Sequence, residues 1–598
     1  MSNNEPIKLR IPRQDLAEFT LFGLTAEQAS AWTDGLPMAN SAQVAQQLRG
    51  AISDLNRVDI GPDLRFQILE ALRPTLHMAL STLSKYYLNQ PVVLPEEPRK
   101  ASRLAQNLYE LVTTAYTMTA IQAIQRRQSI SHANPAKLVC QSVHRAITSA
   151  SMKLLVSYQL YQPLEINAWT ELHQLFLLAE RQKLTSQIVG DQLAGDGSIN
   201  DTYLRALMLG CCKPNQLRQR DLAGVFKGLR EWVEHIHMFP SNEGEGLFLV
   251  DFASDHPPIY GSLYSEEPGP TCRLINTEDL VTQLKKLRQD TGERAVVFDK
   301  DTAVSPNVLD HIITAWGVMS KRNFARAPAQ DKLWVSVGLS NTHYYVSGGI
   351  SFEQMISAKS AESLMEEPDK NPFLEKDTPL ETVLWDNAFR PDGEESESIE
   401  MDDIEFHIRE AEKSPDPSIK ERHPVFPVRM ANVSPGGYCL EWSSDIPSHI
   451  KTGDVIAVRE VDNNSWSIAV IRWVSQLKDE TTLLGVELLS PRATPYGASV
   501  QHKTGEDGDL MRALLLPEIK LVGQPNTLIT PRVGFKERQK VTLIRNGDES
   551  YIQLFKKVSS TAAYNQFEFR YIQQLEEVAM RDKGDVINTQ FESFWNNL

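Results

Sequence analysis

The stretch Asn432-Val433-Ser434-Pro435-Gly436-Gly437, running into Tyr438-Cys439-Leu440-Glu441-Trp442, decides how this chain is read. Asn, Ser, Pro and two glycines in six residues form a tight turn, because these residue types accept the backbone angles that a reversal needs. Apolar and β-branched runs flank it, so the turn joins two strands, Val425–Ala431 and Gly437–Trp442. Three more runs of the same character follow at Asp454–Val461, Ser465–Leu477 and Thr482–Leu489, with Asp462-Asn463-Asn464 as a hairpin turn between the first two. Upstream, Lys332 opens a segment that alternates with period two. Leu333, Val335, Val337 and Leu339 point one way, and Trp334 and Ser336 the other. Just before that strand stands a compact basic run, Lys321-Arg322-Asn323-Phe324-Ala325-Arg326.

Arg322 and Arg326 have R-x-x-x-R spacing, and Asn432, Ser434 and Gly437 fit D/N-x-S-x-x-G. Each pattern alone is cheap: Arg99 and Arg103 match the first without a following strand. Their order is more specific. A strand follows Arg326, another follows Gly437, and then come Ala469-Val470-Ile471-Arg472-Trp473-Val474 and Gly485-Val486-Glu487-Leu488-Leu489. In this order the chain resembles the PilZ domain family, whose later strands carry similar "V-R-W" and "G-V-E" runs. The resemblance implies an antiparallel β-barrel that binds cyclic di-GMP, with Lys321, Arg322 and Arg326 as the basic loop. It also implies that Asn432 hydrogen-bonds a guanine, that Ser434 holds the turn and that Gly437 keeps a Cβ out of the way. The chemistry suits the ligand. A guanidinium is always charged and planar, so it can grip a phosphate, read guanine O6 and N7, or stack on a base. The sequence departs from the family in the 106 residues that separate the two motifs. A rival basic group, Lys420, Arg422 and Arg429 with Arg409 and Lys413 upstream, lies closer to Asn432 but lacks the spacing. Loop closure entropy grows only with the logarithm of length, so a long insertion leaves a joined site possible.

That insertion carries most of the charge. The chain has a formal net charge of −16. Between Ala361 and Glu412 there are 18 Asp or Glu against 4 Lys or Arg, so the rest is close to neutral. Residues 355–420 are therefore expected to be an acidic insertion without a packed core. The near-neutral remainder has no basic stripe for DNA or RNA. Five cysteines, Cys140, Cys211, Cys212, Cys272 and Cys439, form neither zinc spacings nor a disulfide framework, and no metal ligand set is expected. The start, MSNNEPIKLRIPRQDL, has no apolar run behind its charges, and no stretch suits membrane insertion, so the chain reads as cytoplasmic.

The remaining architecture is multidomain α+β. Residues 1–238 read as an all-α domain. Leu69, Leu72, Leu76, Leu80 and Leu83 share one helical face, as do Leu104, Leu108, Leu111, Ala115 and Met118. Trp169, Leu172, Phe176 and Ala179 are similar to the first helix of a tetratricopeptide repeat, but no 34-residue period follows. Ser41 is expected to cap a helix. Residues 239–320 form an α+β segment, with a buried strand at Gly246–Phe252 and helices at Glu278 and at Pro306–Ser320. The PilZ-like barrel is split between 321–354 and 421–505. A second, small β-rich domain occupies 506–598, where Asn546-Gly547 marks a hairpin.

The sequence carries no G-x-x-x-x-G-K-S/T, H-E-x-x-H or G-x-S-x-G motif, so no catalytic residues are expected. His343 is read as a packed or surface residue at a strand end, and His235 and His237 as unsupported for a metal. The expected function is a non-enzymatic cyclic di-GMP effector whose helical domain relays to an unidentified protein partner. The alternatives are a PilZ scaffold that has lost its ligand, or a chaperone-like adaptor.

Overall fold

The computed structural model describes residues 7–126, 134–300, 302–319, 326–329, 331–357, 422–443, 446–461, 463–477, 481–501, 508–519 and 524–572. Two compact units emerge. One is Met1–Lys321 with Ser444–Ile450 and Val474–Thr482; the other is Arg322–Ser443, Lys451–Trp473 and Leu483–Leu598.

Among its described residues the first unit opens with the helices α1 (Ala26–Asp34), α2 (Ser41–Arg57), α3 (Pro62–Tyr87), α4 (Glu96–Gln125), α5 (Pro135–Gln159), α6 (Ala168–Arg181), α7 (Ile199–Cys211) and α8 (Gln219–Trp232). The short strands β1 (Ile188–Val189) and β2 (Gly197–Ser198) pair between α6 and α7. The leucine stripe of α3 is buried, as are Trp169, Leu172, Phe176 and Ala179 of α6. The cap of α2 is one residue earlier than the sequence suggested. Asn40 accepts the Gln43 amide at 3.1 Å, and Ser41 is the first helical residue.

A mixed segment follows. Strands β3 (His237–Pro240), β4 (Phe248–Asp251), β5 (Ile259–Tyr260) and β6 (Cys272–Asn276) form a sheet in the order β3-β6-β4-β5. Helix α9 (Glu278–Thr291), a small pair of β7 (Val296–Val297) and β8 (Ala303–Val304), and α10 (Pro306–Gly317) complete it. The sequence left open whether this segment stands alone or elaborates the barrel. Its core residues Phe248, Val250, Ile275, Leu309 and Trp316 belong to one continuous cluster with those of α2–α8. The Trp316 indole donates to the Met208 carbonyl at 3.2 Å, and Asp255 caps α6 by accepting the amides of Asn167, Trp169 and Thr170 at 2.7 to 3.0 Å. The segment therefore folds with the helices.

The second unit holds two barrels. Its first strands are β9 (Ala327–Pro328) and β10 (Lys332–Val337). Helices α11 (Leu339–Val346) and α12 (Phe352–Ser357) follow, and then β11 (Phe426–Ser434), β12 (Gly437–Trp442), β13 (Val455–Glu460), β14 (Ser467–Gln476) and β15 (Thr482–Ser490). The sheet order is β10-β13-β14-β15-β12-β11-β9, and β10 also pairs with β11, so six strands close on themselves. Leu333, Val335, Val337, Val428, Met430, Leu440 and Trp442 fill the interior side. Leu339 does not continue the β10 alternation. Gly338, at φ +93°, breaks the strand and α11 begins, so His343 is a buried helical residue rather than one at a strand end. Its Nε2 lies 3.2 Å from the Tyr496 carbonyl.

The second barrel is closed from β16 (Thr494–Val500), β17 (Met511–Leu516), β18 (Thr527–Pro531), β19 (Lys540–Arg545), β20 (Asp548–Ser560) and β21 (Tyr564–Tyr571), in the order β16-β17-β18-β21-β20-β19. It starts earlier than the expected boundary at 505/506, because β16 pairs with β17 and β19. Asn546 and Gly547, at φ +51° and +80°, make the β19–β20 hairpin with both central residues left-handed, as the sequence predicted. Val455, Ile468, Val470 and Leu489 of the first barrel pack with Leu514, Leu516, Ile529 and Tyr564 of the second. That apolar contact covers one outer face of the first barrel. The expected acidic insertion begins inside α12, and residues 358–421 lie outside the described residues.

Candidate functional site

The site is built on the β11–β12 hairpin. Ser434 pairs with Gly437, Val433 with Tyr438 and Asn432 with Cys439. The Ser434 hydroxyl donates to the Gly437 carbonyl at 3.2 Å, bracing the turn. Gly437 sits at φ +146°, and a Cβ there would lie 2.1 Å from the Val486 carbonyl oxygen of β15. Only glycine lets the hairpin lie this close to its neighbour. The Leu488 amide completes the junction by donating to the Gly436 carbonyl at 3.0 Å.

The strand that follows the basic run lies on the other side of the same hairpin. Strand β9 pairs antiparallel with the far half of β11, Pro328 opposite Asn432 and Ala327 opposite Val433. Arg326 is the residue just before β9. Arg326, the described end of the first motif, thus leads directly into a strand that neighbours the second motif, more than a hundred residues later in sequence. Pro328, Asn432, Ser434, Gly437 and Cys439 share one side of the sheet, opposite Met430 and Leu440. The Cys439 thiol reports the arrangement: burial pushes it up, while the nearby Arg326 guanidinium and a hydrogen bond with Asn432 pull it down. Lys321 and Arg322 lie outside the described residues, as do Lys420, Arg409 and Lys413 of the rival group. Of that group, Arg429 lies on β11, where its Nη1 stands 3.7 Å from Glu441.

The two later runs also meet. A Cβ on Gly485 would strike the Trp473 indole at 1.8 Å, so the glycine of one run makes room for the tryptophan of the other. Arg472 and Glu487 pair at 2.5 Å. Among the described residues, no cluster of His, Cys, Asp or Glu could hold a metal ion, and no helix is long and apolar enough to cross a membrane. All five cysteines are buried thiols, and burial pushes the Cys211 and Cys212 thiols well above the ordinary range.

A six-stranded barrel with an arginine-bearing segment laid against an N-x-S-x-x-G hairpin defines a PilZ domain. Comparison with known proteins gives the same answer. Residues 247–495 match the family "Cyclic-di-GMP receptor FimW, middle PilZ domain", residues 27–241 the FimW N-terminal domain and residues 496–572 the FimW C-terminal β-barrel domain. The chain is 30% identical to the cyclic-di-GMP receptor FimW of Pseudomonas aeruginosa, over 626 aligned residues that cover 100% of both proteins. It therefore belongs to the FimW family. No solved structure matches it.

Proposed function

We propose that this chain is a cytoplasmic cyclic di-GMP receptor without catalytic activity, and that the dinucleotide binds on the outer face of β9, β11 and β12. The relative's own name and the PilZ family match support the ligand class. The observation that supports the site is the β9–β11 pairing, which starts one residue after Arg326, together with the effect of the Arg326 charge on Cys439 in the hairpin. In this reading Arg322 and Arg326 grip phosphate and guanine, Lys321 adds charge, and Asn432 hydrogen-bonds a guanine edge. Ser434 and Gly437 hold the wall against which the ligand lies. The basic run follows α10 in the chain, so ligand gripped by it is felt at the end of that helix. The helical unit then presents the output surface to a protein partner.

Titration calorimetry on the full chain tests the assignment. A hydrogen bond to a charged group is worth about 1.5–3 kcal/mol, so Arg326→Ala and Arg322→Ala should each weaken cyclic di-GMP binding roughly ten- to a hundredfold. Unfolding temperature should hardly move for Arg326→Ala, because Arg326 is exposed. Wild-type affinity in both variants would end this site assignment, and no binding by the wild type would end the receptor reading.

A further inference from the structure

Resting on the receptor reading above, we propose that the nucleotide site continues past the two motifs to a second cationic row, Lys332 and Arg429. In this proposal Glu441 is the resting counter-charge that the ligand displaces. A strict two-residue alternation puts Arg429 and Asn432, three apart, on opposite faces of β11. The structure puts them on the same face. On β12, Glu441 pairs with Arg429 and Leu440 with Met430, but Cys439 pairs with Asn432, so β11 carries one extra residue between Met430 and Asn432. This bulge flips the alternation. On the other side of β11, Lys332 faces Arg429 and Pro328 faces Asn432. Lys332, Arg429 and Glu441 thus stand in one row on the outer face, next to the row of Pro328, Asn432 and Cys439.

At a rise of about 3.3 Å per residue, neighbouring rows lie roughly 7 Å apart, and the Glu441 row lies about 13 Å from Gly437. An arginine side chain bridges much of that distance. Arg429 is 50% exposed, and its 3.7 Å approach to Glu441 is too long for a hydrogen bond. On the same barrel the Arg472–Glu487 pair is closed at 2.5 Å. Arg429 is therefore a guanidinium held near a carboxylate but not committed to it. Cyclic di-GMP carries every recognition group twice. Arg326 and Asn432 address one phosphate and one guanine, and Arg429 with Lys332 supplies a fork and a point charge for the second half.

Calorimetry and thermal unfolding on the full chain, with cyclic di-GMP as the probe, test this. Arg429→Ala should weaken binding about tenfold. Lys332→Ala should weaken it by less, and Glu441→Gln should tighten it several-fold by releasing Arg429. All three should unfold close to the wild-type temperature. If Arg429→Ala and Glu441→Gln both bind like the wild type, the pair is only a cross-strand contact and the proposal is overturned, with the Arg326 site untouched. If the wild type itself does not bind, the receptor reading and this extension fall together.

Discussion

Replacing Gly437 with alanine should separate the hairpin from the barrel wall. The new Cβ would lie 2.1 Å from the Val486 carbonyl oxygen and 3.0 Å from the Glu487 Cα, both backbone atoms of β15. Carbon–oxygen contacts of this kind settle at about 3.3–3.6 Å, so more than an ångström must open between β12 and β15. The φ of +146° adds strain for any residue with a side chain, on the order of 1–3 kcal/mol. Opening the gap also pulls the Leu488 amide from the Gly436 carbonyl, a junction bond of 3.0 Å whose net worth is about 1 kcal/mol. Gly437→Ala should therefore destabilise the barrel unit by about 2–4 kcal/mol. Hydrogen exchange read by mass spectrometry is the suitable assay. Peptides covering Gly437–Trp442 and Thr482–Ser490 should exchange roughly thirtyfold to several-hundredfold faster by local or global opening, while those of α3–α5 stay as in the wild type. Affinity for cyclic di-GMP should fall with them. Unchanged exchange in both strands would refute the close-approach argument.

Two further predictions concern charge. Burial disfavours the Asp255 carboxylate, but the amides of Thr170 and Asn167, the Thr170 hydroxyl and the Trp169 amide outweigh it and hold the group below its ordinary range. Asp255→Ala should cost the first unit about 1–2 kcal/mol near neutral pH, measured by denaturant unfolding, and the gap to wild type should close as pH falls out of the ordinary carboxylate range and through the group's lowered one. His343 behaves in the opposite chemical sense: burial, opposed by its contact with the Tyr496 carbonyl and aided by Arg512, lowers its pKa to about 4. A neutral histidine in the fold and an ordinary one in the unfolded chain mean full stability above about pH 6.5, lost progressively toward pH 4 by up to roughly 3 kcal/mol. His343→Gln should flatten that part of the barrel unit's pH–stability profile. A profile identical to wild type would show that the group does not titrate there.

The sequence was most legible where local chemistry and period agree. The Asn546-Gly547 hairpin, the buried face of α3 and the β11–β12 turn all declare themselves, because each needs only residues close in the chain. The turn between the motif strands even specifies its neighbour, since Gly437 is required by β15. Long-range partners were less visible. Nothing near Asp255 says that it caps α6, almost ninety residues earlier, and nothing in 239–320 says that its core merges with the helices. The break after β10 is masked in the sequence because Leu339 continues the alternation while Gly338 ends the strand. The face on which Arg429 stands is hidden for a different reason. A bulge changes the face on which every later side chain stands, and Ala431 carries no chemical mark of one.

The central claim is that Arg326 and the Asn432 hairpin hold one and the same ligand molecule. A double-mutant cycle on cyclic di-GMP affinity measures this most directly, using wild type, Arg326→Ala, Asn432→Ala and the double variant in calorimetry. Each single variant should lose at least about tenfold, and the double should lose less than the product, with a coupling above roughly 0.5 kcal/mol. Wild-type affinity in either single variant would contradict the account.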